Sequence, residues 1–182
     1  MPAPRVLVPL APGFEELELV APIDLLRRAG AEVVLASVDG APLVAGRSGI
    51  ILRAERTLDE ALAETAGYGL VCLPGGPAVA ALRKDPRVLE LVRRTATQDG
   101  WLGAICAAPL VLKDAGVLPA EFAAHDSCLG ELPAAVQDTR VVVSGRVVTS
   151  RGAGTAVDFG LALVEALLGA AKSDEVRKAI LA

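Results

Sequence analysis

Leu70-Val71-Cys72-Leu73-Pro74-Gly75-Gly76 and Trp101-Leu102-Gly103-Ala104-Ile105-Cys106-Ala107-Ala108-Pro109 follow one pattern, a short run without a charged residue that stops abruptly in small residues. A strand with one wet face alternates apolar and polar side chains, whereas a strand covered on both faces reads as an unbroken apolar run. The two stretches therefore predict parallel strands roofed by helices on both sides. Outward from them the same rhythm recurs. Val6–Leu10 and Val33–Val38 read as strands on either side of a helix-period segment, Glu15–Ala29, and an irregular hairpin-like stretch runs through Ile50–Leu52. Helices are predicted at Pro86–Asp99 and from about Ala107 to Ala115. Residues 140–150, "RVVVSGRVVTS", give two valine-rich strands with Ser144-Gly145 as the turn, followed by a helix from Thr155 to Leu168. The closing "KSDEVRKAILA" reads as a short helix capped by Ser173. The expected fold is α/β, doubly wound, with a mostly parallel sheet and helices on both faces, in a single domain over residues 1–182.

Composition narrows the function. The chain of 182 residues is 53% hydrophobic but only 3% aromatic, so its core is aliphatic, and the surplus of aliphatic surface hints at a subunit interface. A net charge of −4 carries no footprint for nucleic acid. The apolar run at the N-terminus is too short for a membrane span and reads as a first strand, so a cytoplasmic protein without a membrane partner is expected. Three cysteines, an odd number, argue against a disulfide framework, and each thiol is judged singly.

Sheets of this kind gather reactive groups at the carboxyl ends of their strands. Cys106 stands there, with Ala104, Ala107, Ala108 and Pro109 around it, the small neighbours that a sharp strand-to-helix elbow needs. Its place at a helix N-terminus predicts a lowered thiol pKa and a nucleophilic thiolate. Cys72, between Val71 and Leu73, reads as an ordinary buried cysteine. Gly75 and Gly76 end the neighbouring strand and can turn backbone N–H groups toward an oxyanion. In the acidic helix start, Glu15 and Glu16 read as complements of the helix dipole. Glu18 shares a stripe with Pro22, Leu25 and Ala29 that faces the sheet, where a carboxyl group tends to hold its proton and can pass it to a cysteine or a carbonyl substrate. Pro22 is expected to kink this helix. For His125, the only histidine, two readings stay open: a base or orienting group near Cys106, and a solvent-exposed or core-satisfied ring. Cys128 and His125 alone do not make a metal site, and neither a metal nor any other cofactor is expected.

Taken together, "GFEELELVAPIDLLRRAG", "VCLPGG", "AICAAP" and "TSRGAGTAVDFGLALVEAL" resemble, in order and across most of the chain, the ThiJ/PfpI superfamily, in the branch of the parkinsonism-associated deglycase (DJ-one) and its bacterial relatives. The resemblance implies a flavodoxin-like sandwich, usually a homodimer, with Cys106 as nucleophile, Glu18 as its proton partner, and Gly75, Gly76 and Ala107 around the oxyanion. It implies a cysteine-dependent enzyme acting on small α-oxoaldehydes or their adducts: a glutathione-independent glyoxalase making lactate from methylglyoxal, or a deglycase. It also implies, as a rival, an oxidative-stress sensor or chaperone whose Cys106 is oxidised to sulfinate. A cysteine peptidase ranks last. Two departures stand out: Ala108 precedes Pro109 where many members have glycine, and Asp126 follows His125 where members with a catalytic histidine often have proline.

Overall fold

Residues 3–182, which the computed structural model describes, hold strands and helices interleaved along the chain. In chain order they form β1 (Arg5–Leu10), α1 (Glu16–Arg28), β2 (Glu32–Ser37), β3 (Leu43–Ala45), β4 (Ile51–Arg53), β5 (Arg56–Thr57), α2 (Leu58–Leu62), β6 (Leu70–Leu73), α3 (Val79–Leu82), α4 (Pro86–Thr97), β7 (Trp101–Ile105), α5 (Pro109–Ala115), β8 (Val141–Ser144), β9 (Val147–Ser150), α6 (Ala156–Leu168) and α7 (Ala170–Ala179). The main sheet runs β5-β2-β1-β6-β7-β9-β8, parallel throughout except for β8, which lies antiparallel to β9 at one edge. β3 and β4 form a separate hairpin. Strand order reverses between β1 and β6, so the crevice where ligands collect in such sheets opens beyond their carboxyl ends.

The covered sheet follows from the apolar strands. Every residue of β6 is buried, as are all of β1 and β7 but their first residues. α6 packs against both α1 and α7, and α5 against both α3 and α4. Close approach of α6 to the sheet needs Gly103 in β7, because a Cβ there would stand 2.8 Å from Leu163 and 3.2 Å from Phe159. Fully buried Leu19, Leu26 and Phe159 each contribute about 1.5–3 kcal/mol of burial. α1 in turn meets α6 at Gly160, where a Cβ would press on Leu25 and Pro22. That contact seats the helix carrying Glu18. α1 runs unbroken from Glu16 to Arg28 through Pro22.

Three local readings need correction. Ser144 pairs with Val147, so the β8–β9 turn consists of Gly145 and Arg146, with Gly145 at φ 58° supplying the left-handed conformation of a tight hairpin. α5 begins at Pro109 rather than Ala107, because the elbow itself occupies the residues between. Ser173 caps nothing: α7 starts at Ala170, directly after Gly169 ends α6, which places Ser173 inside the helix, buried, with its hydroxyl donating to the Leu161 carbonyl at 2.9 Å.

Candidate active site

The chain leaves β7 and turns at Cys106 with φ 65°, a left-handed conformation that costs a non-glycine residue about 1–2 kcal/mol. Two backbone bonds hold it there. Cys106 N–H donates to Ser150 at the end of β9 (2.9 Å), and His125 N–H donates to the Cys106 carbonyl (2.9 Å). With its backbone pinned on both sides, the residue projects its thiol into a pocket of about 320 Å³, and the Gly76 and Ala107 N–H groups hydrogen-bond to it.

Glu18 enters the same pocket from the first turn of α1, only 1% exposed. Its Oε2 accepts the Gly75 N–H at 3.0 Å, and its carboxyl is hydrogen-bonded to the Cys106 thiol. Of the three backbone donors expected around an oxyanion, Gly75 is thus engaged as the anchor of the carboxylate. Gly76 and Ala107 serve the sulfur. Both glycines are required by space: a Cβ on Gly75 would run into Glu18 Oε2 and lie 2.6 Å from the Cys106 Cβ, and one on Gly76, at φ 84°, would lie 2.6 Å from the Gly13 carbonyl. Gly75→Ala is accordingly expected to destabilise the fold by about 1–3 kcal/mol in chemical denaturation and to separate the two reactive side chains.

The electrostatics correct the expected thiolate. Burial, then the facing charge of Glu18 and the hydrogen bond to it, push the Cys106 thiol up to about 12, against the opposite pull of the Gly76 and Ala107 N–H groups. A helix terminus that starts only at Pro109 does not outweigh a buried carboxylate at the sulfur. Glu18 is itself raised, to about 7, by burial and by the charge of Glu15, although its bonds to Cys106 and Gly75 and the nearby Arg47 oppose the shift. With the thiol raised above the carboxyl, the sulfur keeps its proton when Glu18 is ionised.

His125 also lines the pocket, its ring exposed and its Nδ1 2.9 Å from the Ser127 hydroxyl. Cys72 is buried and pushed up to about 12 by that burial, and Cys128 is buried beneath the His125 loop. Among the described residues no group of three His, Cys, Asp or Glu side chains is placed to hold a metal ion. The acidic pair of the first turn proves more specific than a dipole complement. Glu15 is the N-cap, accepting the Glu18 N–H at 2.9 Å, and Glu16 is buried, its Oε1 accepting the Ser48 N–H at 2.7 Å to clamp the tip of the β3–β4 hairpin. That clamp brings Arg47 to the pocket, where Ser127 and Ala153 also line the wall. None of these three stood out in the sequence. The glycines flanking Arg47 in "AGRSGI" and Ala153 in "SRGAGT" were the available signals.

A model of the DJ-1/PfpI family matches residues 4–166. Protein DJ-1 homolog B of Arabidopsis thaliana is 38% identical over 98% of this chain, which covers 41% of that protein, so this chain spans less than half the length of that relative. The glutathione-independent glyoxalase DJR-1.2 of Caenorhabditis elegans is 31% identical, with 90% of this chain and 88% of that protein covered. The crystal structure of Drosophila melanogaster DJ-1beta superposes with a TM-score of 0.93 at 35% identity, covering 98% of each chain. No helix of the described residues is long and apolar enough to cross a membrane.

Proposed function

This chain belongs to the DJ-1/PfpI family, and we propose that it is a cysteine-dependent enzyme of small α-oxoaldehydes, converting methylglyoxal to lactate without glutathione. The observation that carries this reading is the juxtaposition of the Cys106 thiol and the buried Glu18 carboxyl, which meet beside Gly75 in the lining of one pocket of about 320 Å³. A thiol pushed up to about 12 is a poor nucleophile until its proton leaves, and the adjacent carboxylate, with a pKa raised to about 7, is the acceptor. Once that proton moves, Glu18 is neutral and no longer repels the thiolate. The sulfur then adds to the aldehyde carbon, and Glu18 returns the proton to the new alkoxide, giving a hemithioacetal. Glu18 next takes the proton from that carbon and delivers it to the neighbouring carbon, while the hydroxyl proton passes to the adjacent oxygen. The product is a lactoyl thioester of Cys106. Addition of water releases lactate and restores the thiol. The Gly76 and Ala107 N–H groups, which lie at the sulfur, are the donors this reading assigns to the oxyanion.

The name of the nematode relative supports the glyoxalase reading over deglycation. Exposed apolar side chains at Leu17 and Val20 of α1 and at Ile50 and Ile51 near the hairpin support a homodimer as the working form. The test is lactate formation from methylglyoxal in buffer free of glutathione, and a protein that makes none would overturn the assignment. One observation favours a second reading, redox sensing: a carboxyl group with a pKa raised to about 7 can donate a hydrogen bond to an oxidised sulfur. A stable gain of two oxygens at Cys106 after mild peroxide, with no turnover, would favour it.

A further inference from the structure

His125 approaches the pocket on the loop that follows α5, and its two ring nitrogens stand in different surroundings. Nδ1 lies 3.2 Å from the Ser127 backbone nitrogen and 2.9 Å from the Ser127 hydroxyl. A backbone N–H can only donate, so Nδ1 is the acceptor and carries no proton. In a neutral ring the proton then sits on Nε2, which has no hydrogen-bond partner in the protein among the described residues. The loop that sets this geometry is fastened at several points: His125 N–H to the Cys106 carbonyl (2.9 Å), Cys128 N–H to the His125 carbonyl (2.9 Å), and Asp126 to the Arg151 guanidinium (2.6 Å).

We propose that Ser127 is a positioning residue that fixes His125 as the neutral Nε2–H tautomer, so that the ring meets a substrate in the Cys106 pocket as a hydrogen-bond donor and not as a base. The donor role rests on the α-oxoaldehyde reading, whereas the tautomer does not. An α-oxoaldehyde has two adjacent oxygens. The Gly76 and Ala107 N–H groups, which lie at the sulfur, are the donors nearest the oxygen on the carbon that the sulfur would attack. When Glu18 removes the proton from that carbon, negative charge develops on the second oxygen, which needs a donor of its own. Nε2–H is an uncommitted neutral donor on the wall shared with Cys106, Glu18 and Glu15, beside the charged Arg47 guanidinium. The arrangement also selects for substrates with vicinal oxygens over simple aldehydes. A ring whose Nδ1 is already committed to Ser127, and whose Nε2 already holds a proton, cannot take one from the thiol, which leaves that task to Glu18.

Because His125 is the only histidine, protein labelled with ¹⁵N-histidine gives a single imidazole spectrum. In the wild type, in the spectrum of the neutral ring, Nδ1 is expected to resonate as an unprotonated nitrogen and Nε2 as a protonated one. Ser127→Pro, which removes the backbone N–H, should mix the two tautomers and lower kcat about threefold with KM unchanged, Ser127→Ala, which keeps that N–H, should retain the wild-type tautomer, and His125→Ala should lower kcat about tenfold, less than for a fully enclosed donor because the ring is exposed. His125→Gln keeps an N–H donor but cannot act as a base, and should stay within about threefold of wild type. A wild-type spectrum with the proton on Nδ1, an unchanged tautomer in Ser127→Pro, or a His125→Gln variant as impaired as His125→Ala would overturn the proposal. Nε2–H in a protein that turns over no α-oxoaldehyde would instead uphold the role of Ser127 and overturn the proposed reaction and the donor role with it.

Discussion

Serine in place of Cys106 is expected to reduce methylglyoxal turnover by at least about 10³-fold, the scale seen when a covalent nucleophile is removed. The substitution exchanges one atom and leaves the rest of the site standing. The elbow is held by backbone bonds from Cys106 N–H to Ser150 and from His125 N–H to the Cys106 carbonyl, neither of which involves the side chain. The left-handed φ of 65° is therefore retained, and thermal unfolding should change by no more than the equivalent of about 1 kcal/mol. What changes is the proton. A carboxylate raised to about 7 can draw the proton from a thiol whose elevation comes partly from that same carboxylate's charge, since the repulsion disappears as the proton crosses. An alkyl hydroxyl is a far weaker acid than any thiol, and the same transfer does not occur. Lactate assayed at saturating methylglyoxal, beside unfolding curves of both proteins, separates lost chemistry from lost fold. Undiminished turnover in Cys106→Ser would sink the assignment.

Most of the scaffold is written in local apolarity. β6 and β7 coincide with the runs 70–73 and 101–105, because residues buried on both faces leave no polar side chain to blur the ends. The errors fall where tertiary contacts override local signals. Ser173 carries the residue type of a cap, yet it faces the Leu161 carbonyl because Gly169 has already broken the chain into two helices. Glu16 reads as a dipole complement in sequence but is buried under a hairpin tip more than two dozen residues away, a contact that no helical periodicity records. The site divides the same way. Cys106, Glu18 and Gly76 were legible because an elbow, an apolar helix stripe and a glycine pair each impose a local composition. Arg47 and Ser127 were not, since an exposed arginine and a loop serine acquire meaning only from what the fold sets beside them. The protonation of Cys106 has a different origin: helix geometry predicts a lowered thiol, but burial of the sulfur and the charge of the Glu18 carboxylate facing it set the opposite sign.

That carboxylate makes Glu18→Gln the most informative variant after the cysteine, because turnover, stability and thiol reactivity should move in different directions. Turnover is expected to fall by about 10²–10³-fold, the contribution of a positioned general base. The wild-type rate should rise with pH as Glu18 ionises around 7, and this limb should be absent from the variant. Stability should move the other way. Glu18 is raised from 4.5 to about 7 on folding, so between those values the folded chain holds a proton that the unfolded chain has released. Wild-type stability therefore declines as pH rises across that window, by about 3 kcal/mol in total, and stays lowered above it. Glutamine has no charge to bury, its carbonyl can still accept the Gly75 N–H, and its amide can still donate to the sulfur. The variant should match wild type near pH 4.5 and surpass it progressively up to pH 8, as read from denaturation midpoints. Without the facing charge the Cys106 thiol also loses one cause of its elevation, so iodoacetamide should alkylate it faster at pH 8 than in wild type. A more stable protein with a more reactive but catalytically idle cysteine would identify Glu18 as the group that moves the proton. Equal stability of the two proteins at pH 8 would show that Glu18 is not a strained buried acid.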